Sequence, residues 1–318
     1  MPGYNAPIMA KPLEYNATLV GREDLTSALA IFKVQSDEEV KTFIPGQYVT
    51  LGMNNEKKPE LGSVRRPMSI VSAPEEGQIL EFYIRYVNWP ESDNPLTHLL
   101  WDAAEGDRMF MRGKAVGRFT LEETVGADDD RLKIFVAAGT GLAPFISMVR
   151  SVKMKDPGAD LSSYVVLHGA SYPADLGYRD ELETLVRDNG MHYYASVSRP
   201  KSAPEWAGDQ GRVEDYFLPA RFAELEARLG LPAMGMTPKN AAIFICGLQG
   251  TISETIARTV SRGFVADNRK LRRDLEVPEE IPASLFYEQY DNTPVIDPDD
   301  TELLEHMRRE LQQALANA

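Results

Sequence analysis

The first third of the chain alternates between short runs rich in β-branched and aromatic residues and turns rich in Gly, Pro, Asn and Asp. Such runs predict β-strands separated by the turns. The predicted strands are SALAIFKV (27–34), QYVTLGM (47–53), RRPMSIV (65–71), ILEFYIRYV (79–87) and DRMFMRG (107–113). One helix is predicted among them at PLTHLLWDAAEG (95–106), with Thr97 as its N-cap. Strands at this spacing favour a small antiparallel β-barrel.

The pattern changes near residue 125, where continuous apolar runs begin to alternate with amphipathic segments. The apolar runs predict buried strands at LKIFVAA (132–138), SYVVLHG (163–169), HYYASVS (192–198) and AAIFICG (241–247). The segments between and after them predict helices at FISMVRSVK (145–153), RDELETLVRDNG (179–190), near 212–230 and at TISETIARTVSRGF (251–264). Buried strands alternating with helices predict a doubly wound parallel sheet.

The change in pattern divides the chain into three parts. Residues 1–125 form the predicted antiparallel β-barrel domain, and the turn GADDD opens a predicted α/β domain at residues 126–266. Residues 267–318 form a C-terminal extension rich in proline and acidic residues, with a last predicted helix at TELLEHMRRELQQALA (301–316). We therefore expect a barrel followed by a doubly wound α/β fold.

Composition narrows the class of protein. The chain has 318 residues, of which 43% are apolar, and this suits about two domains with real cores. No apolar run reaches the roughly 18 residues of a membrane helix, and the N-terminus lacks the apolar stretch of a secretory signal. We therefore expect a cytoplasmic protein without a membrane span. The net charge of −14 argues against nucleic acid as a partner.

Cysteine and histidine counts exclude several kinds of site. The single cysteine, Cys246, rules out a disulfide within the chain and an iron–sulfur cluster ligated by its cysteines. The four histidines show no pair at metal-ligand spacing, so no metal site is predicted.

Two segments of the predicted α/β domain have the composition of ligand loops. GTGLAP (139–144) follows a buried strand and opens a helix, so Gly139 and Gly141 would let the backbone approach a ligand closely. SR at 198–199 follows another strand at the position where a doubly wound fold holds a ribose, and an arginine there suits a 2′-phosphate. Arg212 is a second candidate cation. Each segment fits a plain turn or loop surface equally well.

Three further segments carry candidate chemistry. Within RPMS (66–69), Arg66 can clamp a pyrophosphate and Ser69 offers a small hydroxyl. Cys246 ends the last core strand, where its side chain would face a binding crevice. FYEQY (286–290) places aromatic residues in the acidic extension. Taken singly, these segments fit an exposed arginine, a buried inert thiol and docking of the extension just as well.

Taken in their order along the chain, the segments resemble the ferredoxin–NADP reductase family of flavoproteins. GTGLAPF together with YRDEL is most similar to the bacterial branch of that family. The matching landmarks are PGQY (45–48), RPMS (66–69), EFYIRYV (81–87), PLT (95–97), GTGLAPF (139–145), HGASYPADLGYRDEL (168–182), SR (198–199), GR (211–212), CG (246–247) and YEQY (287–290).

The resemblance implies an FAD-binding barrel followed by an NADP-binding α/β domain. The residues that match the family's FAD contacts are Arg66, Pro67, Met68, Ser69, Tyr83, Ile84, Arg85, Leu96, Thr97 and Thr140. Those that match its NADP contacts are Thr140, Gly141, Ser198, Arg199, Arg212, Cys246 and Gly247. Ser69, Cys246 and Tyr290 match residues beside the reacting rings: Ser69 near flavin N5, Cys246 beside the nicotinamide, and Tyr290 over the flavin's other face.

Two features depart from the family pattern. Met68 stands where the family usually has Tyr, so ring stacking and a phenol hydrogen bond are lost, and flavin affinity or potential is expected to differ. About 28 residues follow Tyr290, whereas bacterial relatives end near the matching aromatic. The extension is expected to cover the flavin, to pack on the core, to contact a second copy of the chain, or to be solvated. The oligomeric state stays open.

The implied activity is FAD-dependent electron transfer between NADP(H) and a ferredoxin or flavodoxin, through hydride exchange between nicotinamide C4 and flavin N5. The carrier must be a separate protein, because no cluster fits on this chain. Lys57, Lys58 and Arg65 form a basic cluster near the flavin motif and are the predicted docking site. Two alternatives stay open: a reductase subunit of a multicomponent oxygenase or dehydrogenase, and a non-catalytic binding protein on the same fold.

Overall fold

A computed structural model of the chain describes residues 11–289 and 293–317. The described residues form two compact units that divide between Gly117 and Arg118, ahead of the position indicated by the sequence. The reason is Phe119, whose ring lies 5.8 Å from that of Phe145 and 6.1 Å from that of Phe244. The segment before residue 126 therefore already packs into the second unit.

The first unit is built on a six-stranded antiparallel sheet with the strand order β4-β3-β6-β1-β2-β5. Its two outer strands, β4 and β5, approach each other at one end. This is shown by the Val71 amide, just beyond the end of β4, which donates to the Glu81 carbonyl of β5 at 2.8 Å. This curling agrees with the predicted barrel. The strands are β1 (Ala17–Thr26), β2 (Leu29–Ser36), β3 (Tyr48–Asn54), β4 (Ser63–Ser69), β5 (Ile79–Arg85) and β6 (Arg108–Met111). The unit's longer helix is α1 (Leu96–Asp102).

Two local predictions for this unit were wrong. Strand β1 was not predicted, because its alternation fades into half-buried and exposed positions after Ala17 and Leu19. Thr97 is not the N-cap of α1: that position is Pro95, and the Thr97 hydroxyl accepts a hydrogen bond from the Val87 amide at 3.3 Å. Thr97 thus ties the start of α1 to the chain that leaves β5.

The second unit is a six-stranded parallel sheet with helices, in the strand order β10-β9-β8-β7-β11-β12. This confirms the doubly wound α/β prediction. Its strands are β7 (Leu132–Ala138), β8 (Tyr164–Ala170), β9 (His192–Val197), β10 (Asp209–Gln210), β11 (Ala241–Cys246) and β12 (Leu285–Glu288). The helices are α2 (Leu121–Thr124), α3 (Ala143–Lys155), α4 (Arg179–Asn189), α5 (Pro219–Arg228), α6 (Gln249–Thr259), α7 (Arg269–Asp274) and α8 (Thr301–Ala316).

The order of these strands creates a switch point between β7 and β11. From β7 the chain proceeds outward on one side through β8 and β9, and then returns to the other side of β7 as β11. The loops that follow β7 and β11 therefore diverge at the carboxyl edge of the sheet, where doubly wound folds bind ligands. This edge carries the segments 139–142 and 246–247.

Much of the C-terminal extension belongs to the second unit. Strand β12 pairs in parallel with β11, and three apolar side chains of α8 enter the same core as Val260 and Phe264. These side chains are Leu304, Met307 and Leu311. The prediction of α8 agrees with the structure residue for residue, whereas β12 and α7 were not predicted. Within the described residues, no helix is long and apolar enough to cross a membrane.

Candidate functional site

The turn after β7 is locked against the end of β11 by contacts that require glycine. A Cβ on Gly141 would lie 2.0 Å from the Cys246 carbonyl oxygen, and one on Gly247 would lie 2.8 Å from the Ala138 Cβ. Sequence reasoning assigned Gly141 to the approach of a ligand, whereas in the structure the Cys246 backbone already occupies the space beside it. The two predicted segments therefore form one rigid edge.

The other glycine of this turn faces open space. Gly139 has a φ of +56°, and a Cβ placed on it would meet nothing within 4 Å. Its backbone is therefore accessible to a ligand at the switch point, next to the half-buried Thr140. Cys246 is fully buried, so its thiol is shielded from bulk water at the end of β11.

A cavity of about 450 Å³ opens beside the end of β9, and we call it the β9 cavity. Two predicted residues line it together with five that were not predicted: Ser198, Gly211, Arg212, Glu214, Asp215, Glu254 and Arg258. Arg199 is not among them: its guanidinium donates to the Tyr172 hydroxyl at 2.9 Å and lies 5.5 Å from the centre of that ring. Arg199 thus contacts Tyr172, whereas Ser198 and Arg212 line the cavity.

Arg258 is the most heavily bonded cation of the β9 cavity. It pairs with Asp215 at 3.0 Å and with Glu254 at 2.8 Å, and it donates to the Glu214 carbonyl at 2.8 Å. Arg212 lies 3.7 Å from the carboxylate of Glu214, a side chain only 2% exposed. Arg258 was not predicted as a site residue, because the i, i+4 pair it makes with Glu254 is typical of any exposed helix face.

A buried histidine lies one strand away from the switch point. His168 on β8 is fully buried and stands in register with Ala137 of β7, two residues before Gly139. Its Nδ1 lies 3.2 Å from the Tyr193 hydroxyl. Burial lowers the pKa of His168 to about 4, partly offset by the Gly139 backbone. The imidazole is therefore neutral near pH 7.

The predicted flavin residues of the first unit lie on neighbouring elements. Strand β4 contacts both β5 and α1, so the elements that carry the segments 66–69, 83–85 and 96–97 adjoin one another. Arg66 is exposed and donates to the Arg65 carbonyl at 2.9 Å. It forms no ion pair within the described part of the chain, so its charge is available to an anion.

The remaining side chains of this set range from buried to exposed. Ser69 is 8% exposed at the end of β4, and Tyr83, Ile84, Leu96 and Thr97 are also buried. Met68 packs against the core of the unit, while Arg85 is half-buried. Pro67 is tolerated because β4 is an outer strand, where a missing N–H breaks no ladder.

The predicted docking residues differ in how far their charges are compensated. Lys57 is paired with Asp102 at 2.9 Å, whereas Lys58 is exposed. The Arg65 guanidinium lies 5.9 Å from the centre of the Phe110 ring. Tyr290, the predicted lid over the flavin, lies outside the described residues.

Comparison with known proteins agrees with this architecture. Residues 135–256 match the family described as oxidoreductase NAD-binding domain. A ferredoxin–NADP reductase from Neisseria gonorrhoeae, solved with bound FAD and NADP, superposes with a TM-score of 0.68 at 21% identity, covering 87% of this chain and 98% of that one. This likeness shows the shared fold.

Two curated relatives extend the match to sequence. The chain is 30% identical over 209 residues to the phenol hydroxylase P5 protein of Acinetobacter pittii, covering 64% of this chain and 54% of that one. It is 30% identical over 264 residues to ferredoxin–NADP reductase B of Sorangium cellulosum, covering 83% of this chain and 96% of that protein. A match of this extent, over both units, shows that the chain belongs to the ferredoxin–NADP reductase family of flavoprotein oxidoreductases.

Proposed function

We propose that this protein is an FAD-dependent reductase that exchanges hydride with NADP(H) and passes electrons to a separate ferredoxin or flavodoxin. The observation that carries the proposal is the switch point, where the segments 139–142 and 246–247 are packed into one rigid edge beside an accessible glycine backbone. Such an edge can hold a planar ring and a diphosphate in fixed positions.

The residues of the first unit fit an FAD diphosphate and flavin. Arg66 supplies a guanidinium that no described carboxylate compensates, and such a group binds a diphosphate through paired hydrogen bonds. Ser69 supplies a hydroxyl at the end of the same strand. Tyr83, Leu96 and Thr97 supply buried surface on the adjoining elements. Met68 would contact the flavin through a thioether rather than a phenol ring.

The residues of the second unit fit a nicotinamide nucleotide. Thr140 and Cys246 would meet the nicotinamide, while Ser198 and Arg212 in the β9 cavity would meet the ribose and its substituent. Bound FAD supplies the redox chemistry, because it accepts a hydride and releases electrons singly. The chain itself has to orient the two rings and exclude water, so Ser69 and Cys246 act by position rather than as acid or base.

Docking of the carrier is proposed at Lys58 and Arg65, with Lys57 as a weaker contributor. Asp102 already compensates Lys57, so an acidic carrier gains little from that side chain. Arg65 is exposed on the same strand as Arg66, next to the proposed flavin contacts. A carrier seated there would approach the flavin from the side of β4.

A reductase component of an oxygenase is the second candidate. It is favoured by the identity with the phenol hydroxylase protein and by 37% identity over 147 residues to the methane monooxygenase component C of Methylosinus trichosporium, covering 46% of this chain and 37% of that one. Both proteins extend well beyond the matched part. The two candidates share the hydride step and differ in the acceptor.

Anaerobic flavin reduction followed by carrier reduction tests the proposal. The purified protein, saturated with FAD, is mixed with NADPH, and bleaching of the flavin absorbance is followed. Carrier reduction is then measured with a ferredoxin and with a flavodoxin. Bleaching followed by carrier reduction is the expected result. Bleaching with neither carrier reduced would favour the oxygenase role, and a protein that retains no FAD or shows no bleaching with any nicotinamide nucleotide would overturn the proposal.

A further inference from the structure

The charges of the β9 cavity do not suit a strict preference for a phosphorylated nucleotide. Two guanidinium groups, Arg212 and Arg258, face three carboxylates, Glu214, Asp215 and Glu254, so the formal charge of the lining is −1. A phosphomonoester such as the 2′-phosphate of NADPH brings about −1.5 to −2 at pH 7. Its attraction to the arginines is therefore opposed by repulsion from the carboxylates.

The two arginines differ in how firmly partners within the protein hold them. Arg258 holds Asp215, Glu254 and a backbone carbonyl, each at 3.0 Å or less. Arg212 lies 3.7 Å from the buried carboxylate of Glu214, but its own side chain is 74% exposed and stays accessible to a ligand. A 2′-phosphate that binds Arg258 has to weaken one of these ion pairs, and the loss of that pair offsets part of the free energy of phosphate binding.

The 2′-hydroxyl of NADH, which carries no charge, is not repelled by the carboxylates of the cavity. Carboxylates accept hydrogen bonds from the 2′-hydroxyl in doubly wound folds that bind NADH. Glu254 is suited to this role, because its side chain is 52% exposed in the cavity lining and sits one turn into α6. Such a bond leaves the pairs of Arg258 in place and adds no charge. The same lining can thus receive either form of the ribose.

We propose that this protein uses NADH as well as NADPH, with values of kcat/KM within about tenfold of each other, and that Glu254 sets the ratio. The inference rests on the proposed function, since it concerns the nucleotide that reduces the flavin. Glu254 acts in two ways at once. Its carboxylate receives the 2′-hydroxyl of NADH, and it holds Arg258 away from the 2′-phosphate of NADPH.

The test is steady-state flavin-dependent turnover with each nucleotide in the wild type and in Glu254→Gln. The variant keeps the length of the side chain but removes its charge, so Arg258 is released toward the phosphate. We expect the NADPH to NADH ratio of kcat/KM to rise by about tenfold, chiefly through the KM of each nucleotide. The control is Glu224→Gln, because Glu224 makes the matching i, i+4 pair with Arg228, an arginine that also holds an aspartate.

The outcomes separate this inference from the function on which it rests. A wild-type preference for either nucleotide well above about tenfold would overturn the inference and leave the proposed function standing. An unchanged ratio in Glu254→Gln, or an equal change in Glu224→Gln, would overturn the role of Glu254. Failure of both nucleotides to reduce the flavin would instead count against the proposed function itself.

Discussion

The two units present their candidate sites by different means. In the second unit the site is an edge of backbone, in which the Cys246 carbonyl lies so close to Gly141 that no side chain fits between them. In the first unit the candidate site is a set of side chains on an outer strand, among which Arg66 is an exposed cation. Substitutions at the backbone edge and in the core beneath it should therefore act through stability, whereas those on β4 should act through ligand affinity.

The largest effect is expected from the core beneath the second site. Met307 on α8 is fully buried in the core that contains Phe264, so Met307→Ala leaves a cavity there. We expect a loss of about 2–5 kcal/mol in the free energy of unfolding of this unit, measured by chemical denaturation. The exposed neighbour His306→Ala is the control and should unfold like the wild type. Equal stability of both variants would show that α8 does not contribute to the core.

Acid is expected to weaken the second unit through His168. Its pKa in the folded protein is about 4, below the roughly 6.5 of an unfolded histidine, so the unfolded chain binds more protons between these values. Stability therefore falls as the pH drops through this window, by up to about 3 kcal/mol. Denaturation across pH 7 to 4, a range that spans these values, should show a shallower slope in His168→Gln. If the unfolding free energy of the variant falls with pH as steeply as that of the wild type, protonation of His168 is not the cause of the acid sensitivity.

Substitution of Gly141 should break the rigid edge itself. Gly141→Ala forces the turn away from Cys246 at a cost of about 2–3 kcal/mol. We expect a lower unfolding temperature together with weaker nucleotide binding, measured by thermal melts and by titration. Gly250→Ala is the matched control, because a Cβ there meets nothing within 4 Å in the first turn of α6. A Gly141→Ala protein as stable as this control would contradict the contact.

The smallest effect on stability, and the clearest on affinity, is expected at β4. Arg66→Ala removes a charged contact to the FAD diphosphate worth about 1.5–3 kcal/mol, so flavin affinity should fall by one to two decades. The unfolding temperature of the FAD-free protein should not change, since Arg66 is exposed. Arg65→Ala, its neighbour on the strand, should retain FAD. Equal flavin affinity in Arg66→Ala and the wild type would remove Arg66 from the proposed site.

Strongly periodic segments were predictable, and weak ones were not. The run LKIFVAA coincides with β7 and the last amphipathic segment with α8, because both bury a continuous apolar face. Strand β12 is four residues long in an acidic, proline-rich stretch, and it pairs with β11, where Leu285 and Phe286 are buried. Its apolar run of three residues, Leu285 to Tyr287, is too short to signal a strand.

The place of a motif in the fold was predictable, but the residues that surround it were not. GTGLAP and CG indicated the carboxyl edge correctly, yet the contact between Gly141 and Cys246 joins residues far apart in sequence. Arg258 and the carboxylates around it reach the β9 cavity only through the packing of α6 beside the segment 211–215. Charge balance in a cavity is therefore a tertiary property that a local motif does not encode.

The burial of α8 also determines when each unit can complete its core during translation. All contacts of the first unit can form once Gly117 has left the ribosome, whereas the core around Phe264 waits for Met307 and Leu311. At about 5–20 residues per second, the second sheet spends several seconds with an uncovered apolar face. During that interval the apolar face that α8 covers in the folded protein is exposed to chaperones and proteases, and docking of α8 ends that exposure.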